Sequence, residues 1–592
     1  LEDDLMEKSA FYHRTESEYA YLYTEDEIHI RLRTKKNDVA QVILHYGDTA
    51  LFDFTQDYQY HISMSIITSD LYHDYWQASV KVDYRRISYL FEILGTDGEK
   101  VFFGDMGVVE NQPYQYQAGA NSFKIPYLHD SDRVKVPKWV RETVWYQIFP
   151  ERFANGNPEI SPINSLAWDT DISPKHDDFF GGDLYGILQK LDYLQDLGIT
   201  GLYFCPVFEA PSNHKYDTVN YFEIDKHFGD KETFRRLIEE AHKRNMKIML
   251  DAVFNHIGNH SAQWHDVIKN GENSIYRDWF YIHSFPVYTN TEKIPDIHHY
   301  LNYDTFKFSP KLPKLNTSNP EVRQYLLDIA TYWIKEFNID AWRLDVANEV
   351  EHQFWKDFHN TVTAIKPDIY ILGEIWHNSH TWLNGDEFHA VTNYPLAASI
   401  KNYFLTKTLS AEEFKNQINS QLMYYRQQTN EVMLNMLDSH DTERILTTAR
   451  ENHNAVKSAL VFTFLHLGSP CIYYGTEVGM KGGSDPDCRR VMPWDENKQD
   501  TEMKHFIKKL IALRKDYIDW IIYGKRNIEI LENNILQVTI NYNNFKLTIS
   551  YNNTSNIIKL ENTKKNLLTN SKLISEDTAI LLEPDTFAVQ LC

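Results

Sequence analysis

Cysteine is scarce in this chain of 592 residues: Cys205, Cys471, Cys488 and Cys592 stand far apart, with no CxxC pair and no histidine spacing of zinc type. Four free thiols in a reducing, cytoplasmic compartment are expected rather than a disulfide frame. Runs of Lys and Arg are lacking too: 60 basic residues face 83 acidic ones, and the net charge of −23 is spread along the sequence. That balance excludes nucleic acid and anionic membrane as expected partners. No long hydrophobic run occurs. The most apolar stretch, "SALVFTFLHLGSPCIYYG", contains His466 and is broken by Gly468 and Pro470, short of a spanning helix. Repeats and low-complexity tracts are absent. The chain opens on Leu1, so a removed signal peptide remains compatible with it.

What is present is apolar substance, 42% of residues, enough for large cores and spread over too long a chain for one domain. Two to four domains are expected. Residues 1–125 alternate apolar and polar in short runs ("DEIHIRLRT", "VAQVILHYG", "RRISYLFEIL") separated by turn pairs such as Asn37-Asp38 and Asp97-Gly98, which predicts an N-terminal β-sandwich. Trp76, Tyr58 and Tyr60 there read as core or cross-strand residues rather than sugar platforms.

From Val144 the pattern changes. Eight nearly continuous apolar runs follow: "TVWYQIFP", "ITGLYFCPV", "KIMLDAVFNH", "IDAWRLDVA", "IYILGEIW", "FHAVTNYP", "VMLNMLDSHD" and "PCIYYGTEV". Amphipathic stretches lie between them, clearest in Val322, Tyr325, Leu326, Ile329, Ala330, Trp333, Ile334 and Phe337 behind Pro320. Eight such units predict a (β/α)8 TIM barrel over 126–256 and 319–515. The connection of 257–318 is too long for an ordinary loop and predicts an inserted lobe after strand 3. Alternation returns over 516–592, a C-terminal β-sandwich domain.

In "AWRLDVANEV" the period of two puts Arg343 and Asp345 on one face, two charges in a strand that ought to be apolar. Catalytic residues of such barrels sit at the carboxyl ends of the strands. There this chain places Asp251, Asn255 and His256 (strand 3), Arg343 and Asp345 (strand 4), Glu374 (strand 5), and His440 and Asp441 (strand 7). One acid could be a helix cap. Four converging carboxylates suggest a hard-cation site or carboxylate-pair catalysis such as glycoside hydrolysis.

"DAVFNH" (251–256), "WRLDVANE" (342–349), "GEIWH" (373–377) and "LDSHDTER" (437–444) closely resemble, in order, the four signature regions of glycoside hydrolase family 13, the α-amylase family. "LPKLN" (312–316) resembles the fifth region of its neopullulanase, cyclomaltodextrinase and maltogenic amylase subgroup. The resemblance implies Asp345 as nucleophile, Glu374 as general acid and then base, and Asp441 as the third carboxylate, gripping sugar hydroxyls. Burial is expected to raise the pKa of Glu374, and Arg343 to lower that of Asp345. Tyr216, Asp251, His256, Arg343, Trp376, His440, Asp485 and Arg489 are implied to bind substrate.

A calcium site of the family pattern would involve Asn155, Asn157, Gly181 and Asp183. "NGNPEIS" replaces its charged ligands, so no cofactor is required and any calcium is weakly bound. The implied activity is retaining hydrolysis of cyclodextrins, maltooligosaccharides and pullulan at α-1,4 bonds, with α-1,6 bonds as a further candidate target and some transglycosylation. The alternatives are a 4-α-glucanotransferase and a catalytically inactive glucan-binding subunit. The resemblance also implies a homodimer formed through the N-terminal domain.

Overall fold

The computed structural model describes residues 5–51, 58–110, 121–288, 301–561, 565–573 and 579–592. Residues 289–300 of the predicted lobe therefore lie outside the described residues.

Eight parallel strands form the central sheet: β1 (Trp145–Ile148), β2 (Gly201–Phe204), β3 (Lys247–Val253), β4 (Ala341–Asp345), β5 (Tyr370–Gly373), β6 (Ala390–Val391), β7 (Leu434–Met436) and β8 (Ser469–Tyr473). Their order is β6-β5-β4-β3-β2-β1-β8-β7, and a parallel bridge between Thr392 and Leu434 joins the two ends, closing the barrel. Each predicted apolar run supplies one strand. Burial on both sides is the reason: Trp145, Leu202, Leu250, Leu344 and Ile371 are all fully buried. Among the described residues no helix is long and apolar enough to cross a membrane.

The 257–318 segment carries a helix the apolar spacing did not suggest, α1 (Ala262–Asn270), capped by Ser261 accepting from Trp264 N and burying Trp264 and Val267. Around it, single bridges such as Phe280 to Leu315 and Ile282 to Tyr303 replace regular strands. Helix α2 (Pro320–Phe337) follows, with Asn319 as its cap, and buries the predicted face from Val322 to Phe337 against the barrel.

Ahead of the barrel, a four-stranded and a six-stranded antiparallel sheet face each other over a core that includes Ile28, Ile30, Trp76, Val80, Phe91 and Ile93. Behind it, helices reach Tyr523, and the C-terminal sheets begin at Lys525, with a five-stranded and a three-stranded layer.

Candidate active site

Barrel register builds the site. Asp251 pairs with Arg343 and Val253 with Asp345 between β3 and β4; Leu344 pairs with Gly373, so Glu374 emerges just past β5. Arg343 is the hub. Its Nη1 donates to Asp345 Oδ1 at 2.6 Å and to both oxygens of Asp251 at 3.0 Å, while Nη2 lies 3.1 Å from Glu374 Oε1. The shared face of Arg343 and Asp345 is thus a direct ion pair, and Arg343 is 1% exposed.

One guanidinium cannot balance three buried carboxylates. Burial, then the Glu374 charge, pushes Asp345 well above the usual carboxylate range against the pull of Arg343, and burial pushes Asp251 up to about 6. Burial acts on Glu374 in the same direction, but Arg343, the Val346 N–H at 3.0 Å and Asp345 together hold it below its ordinary value. Asp345 is therefore pushed up and Glu374 held down in the free site, as members of one cluster that titrates together. The physical reason is that the acids share one cation, and Glu374 has a backbone donor in addition.

Tyr216 ties this cluster to the next strand end. Its hydroxyl donates to Asp251 Oδ2 at 2.8 Å and lies 2.7 Å from His440 Nε2, and the two rings are parallel at 5.2 Å. His440 is buried, which, with Arg489 and Arg343 nearby, keeps it well below the usual imidazole pKa and hence neutral. Asp441 stands apart from Arg343: its oxygens lie 3.1 Å from His440 Nε2 and 3.3 Å from Arg489 Nη2, and a third of its side chain is open. Arg489 in turn meets Asp485 at 3.0 Å.

Trp376 donates from Nε1 to Glu374 Oε1 at 3.1 Å, stacks on Tyr394 at 3.7 Å and is half exposed. Among the described residues His256 makes no bond to the carboxylates; it stacks on Phe306 at 5.0 Å, and its buried Nε2 has no partner there.

Three site residues escaped sequence reasoning. Gln147 on β1 meets His440 Nδ1 at 2.9 Å, and Tyr203 on β2 donates to Asp251 at 3.3 Å. A glutamine inside the apolar run "WYQIFP" was a readable signal; a tyrosine among other aromatics was not. Val346 is the third, and it occupies the left-handed region at φ 49°, ψ 41°.

Most of the calcium candidates are engaged with protein partners. Asp183 spends both oxygens on the backbone N–H groups of Gly156, Asn157 and Gly186, Asn157 caps Glu159, and Gly181 contributes a turn at φ 82°. The buried Asn155 Oδ1 alone is left unpartnered, against the several oxygens a hard cation wants.

The family model described as "Alpha amylase, catalytic domain" matches residues 147–518, and that described as "Alpha amylase, N-terminal ig-like domain" matches 6–129. An intracellular maltogenic amylase of Bacillus subtilis (strain 168) is 49% identical over 530 residues, 88% of either chain. A cyclomaltodextrinase of Geobacillus thermopakistaniensis (strain MAS1) is 50% identical over 520 residues, covering 86% of this chain and 85% of that one. Among solved structures, a cyclomaltodextrinase superposes with a TM-score of 0.89 at 39% identity over 98% of this chain and 99% of the other.

Proposed function

Because the chain belongs to the α-amylase family of hydrolases, we propose that it is a retaining α-glucan hydrolase acting on cyclodextrins, maltooligosaccharides and pullulan. The observation that carries this reading is the grip of one guanidinium, Arg343, on Asp251, Asp345 and Glu374. A glycosidic bond needs one carboxyl protonated and one ionised. A buried acid cluster with too few cations retains a proton near neutral pH, which belongs to the cluster rather than to one residue.

In the free site that proton is shared by the acids around Arg343. When substrate presents its glycosidic oxygen, a hydrogen bond to the protonated form favours moving the proton to Glu374, and Arg343 stabilises the Asp345 carboxylate it leaves. Asp345 then attacks the anomeric carbon as Glu374 protonates the leaving oxygen. The resulting glycosyl ester is hydrolysed by water that Glu374 deprotonates. Asp441, His440 and Tyr216 hold the sugar in the −1 position, and Trp376 offers a ring beside Glu374 on which a second sugar can stack, which supports transglycosylation as a side reaction.

Maltotriose and Asp345→Asn test the reading. Glucose and maltose with rising reducing ends are expected from the native chain and none from the variant; longer oligomers without new reducing ends would make it a glucanotransferase. Side-by-side rates on β-cyclodextrin, pullulan and starch rank the substrates. The proposal includes a cytoplasmic enzyme, in keeping with Cys205, Cys471, Cys488 and Cys592 as free thiols, needing no calcium. One calcium per chain retained through dialysis against a chelator would overturn that last clause. It also includes a homodimer through the N-terminal domain, which sedimentation at monomer mass would overturn.

A further inference from the structure

A cleft of about 440 Å³ opens where the three domains meet, sharing no residue with the carboxylate cluster. Its walls are the outer side of the N-terminal four-stranded sheet, the end of helix α3 (Ala411–Leu422) and the first C-terminal strand, Lys525–Ile530. In a chain with a net charge of −23, its lining contains, among the described residues, three cations, Arg31, Lys525 and Arg526, and no carboxylate.

Among the described residues none of these cations forms an ion pair. Arg31 spends its nitrogens on Gln77, the Tyr425 carbonyl and the Tyr21 hydroxyl, all uncharged. Arg526 donates from Nη2 to the Leu465 carbonyl at 2.8 Å, and its buried Nε has no acceptor among the described residues. Burial pushes its guanidinium down to about 10, the cost of a cation with no counter-charge.

The remaining lining is rich in donors. Ser65 and Thr68 come from a strand at the edge of its sheet, and Lys525–Ile530 is an edge strand too, so two sheet edges flank the space. Among the described residues no aromatic ring lines the cleft. A neutral glucan therefore has neither a stacking platform nor a carboxylate for its hydroxyls. An oxyanion finds what it needs: arginines, a lysine and hydroxyls.

We propose that this three-domain cleft binds a small phosphate-bearing ligand, either inorganic phosphate or a sugar monophosphate. Such a ligand would bridge the N-terminal, barrel and C-terminal domains without touching the carboxylate cluster.

Calorimetric titration of the full chain at fixed ionic strength tests it, using inorganic phosphate and glucose 6-phosphate as probes; a fixed salt background separates site binding from the general stabilising effect of phosphate. Saturable binding is expected, weakened about tenfold in Lys525→Ala and abolished in Ser65→Asp, which puts a like charge on an exposed strand position. Turnover of β-cyclodextrin in both variants without added phosphate is expected to match the native chain, which shows that they fold. Equal affinity for the two probes assigns the cleft to free phosphate; roughly tenfold tighter binding of the ester assigns it to a sugar phosphate. Absence of saturable binding up to about 10 mM of either probe, or native affinity in both variants, overturns the proposal.

Discussion

The backbone N–H of Val346 donates to Glu374 Oε2 at 3.0 Å, and Val346 makes that bond from the left-handed region, at φ 49° and ψ 41°. A β-branched residue there costs roughly 1–2 kcal/mol. The residue directly after Asp345 thus stores strain while it orients the neighbouring carboxylate. Val346→Gly should relieve the strain while losing buried methyl groups and gaining chain entropy. Stability is expected to change by no more than about 1 kcal/mol in urea unfolding, while kcat/KM falls roughly tenfold as the donor loosens. A loss of about 3 kcal/mol, usual for emptying a well-packed apolar site, would show that no strain is stored there.

Asp345 is raised on folding, so its contribution to stability is present where it is protonated and lost as pH rises from its unfolded value, about 3.9, through the higher folded one. Asparagine cannot ionise. Asp345→Asn is therefore expected to unfold at nearly the native temperature near pH 4 and to outlast the native chain by roughly 1–2 kcal/mol near pH 8. Catalysis should be lost at every pH. Thermal unfolding of both proteins across that range checks the sign, and a less stable variant at the higher pH contradicts the crowding of acids around Arg343.

Tyr216 bridges Asp251 and His440, and its donated hydrogen bond lowers the Asp251 pKa, which burial has pushed up to about 6. Tyr216→Phe removes that donor, leaving Tyr203 at 3.3 Å. The acid limb of the kcat/KM profile should move to higher pH by roughly half to one pH unit, and kcat should fall roughly 10- to 100-fold. An unmoved limb would mean that Asp251 does not set it.

Much of this was legible because barrel strands buried on both faces are continuous apolar runs. "KIMLDAV" and "AWRLD" announce strands, and their period of two announces the Arg343–Asp345 pair. Helix α1 was hidden because only Trp264 and Val267 of its nine residues are buried, too few for a readable stripe. The Val346 backbone was hidden because left-handed geometry at a valine is imposed by tertiary packing, against local preference. How the acids share their proton was not legible because it depends on how many carboxylates reach one arginine, a count that strand register decides.

Contacts between distant segments were equally invisible, and one of them bears on catalysis. Glu18 in the N-terminal domain accepts from His380 Nε2 at 2.7 Å, across 362 positions, and Ser17 and Arg14 also contact that ring. His380 ends the loop that starts at Glu374; Ser379 in the same loop donates to the Tyr425 hydroxyl, and Tyr425 is held by Arg31. The N-terminal domain thus braces the acid's loop at two points. Burial would raise Glu18, but His380, its own backbone and Arg14 bring it down to about 2. Its stabilisation is therefore present above the unfolded value, about 4.3, and lost as pH falls toward 2. Glu18→Gln should lower kcat several-fold near pH 7 with KM little changed, and lower stability by about 1 kcal/mol, a gap that narrows as pH falls below about 4. Steady-state kinetics and thermal unfolding at both pH values decide. A pH-independent gap with native kcat would reduce the contact to ordinary interdomain packing.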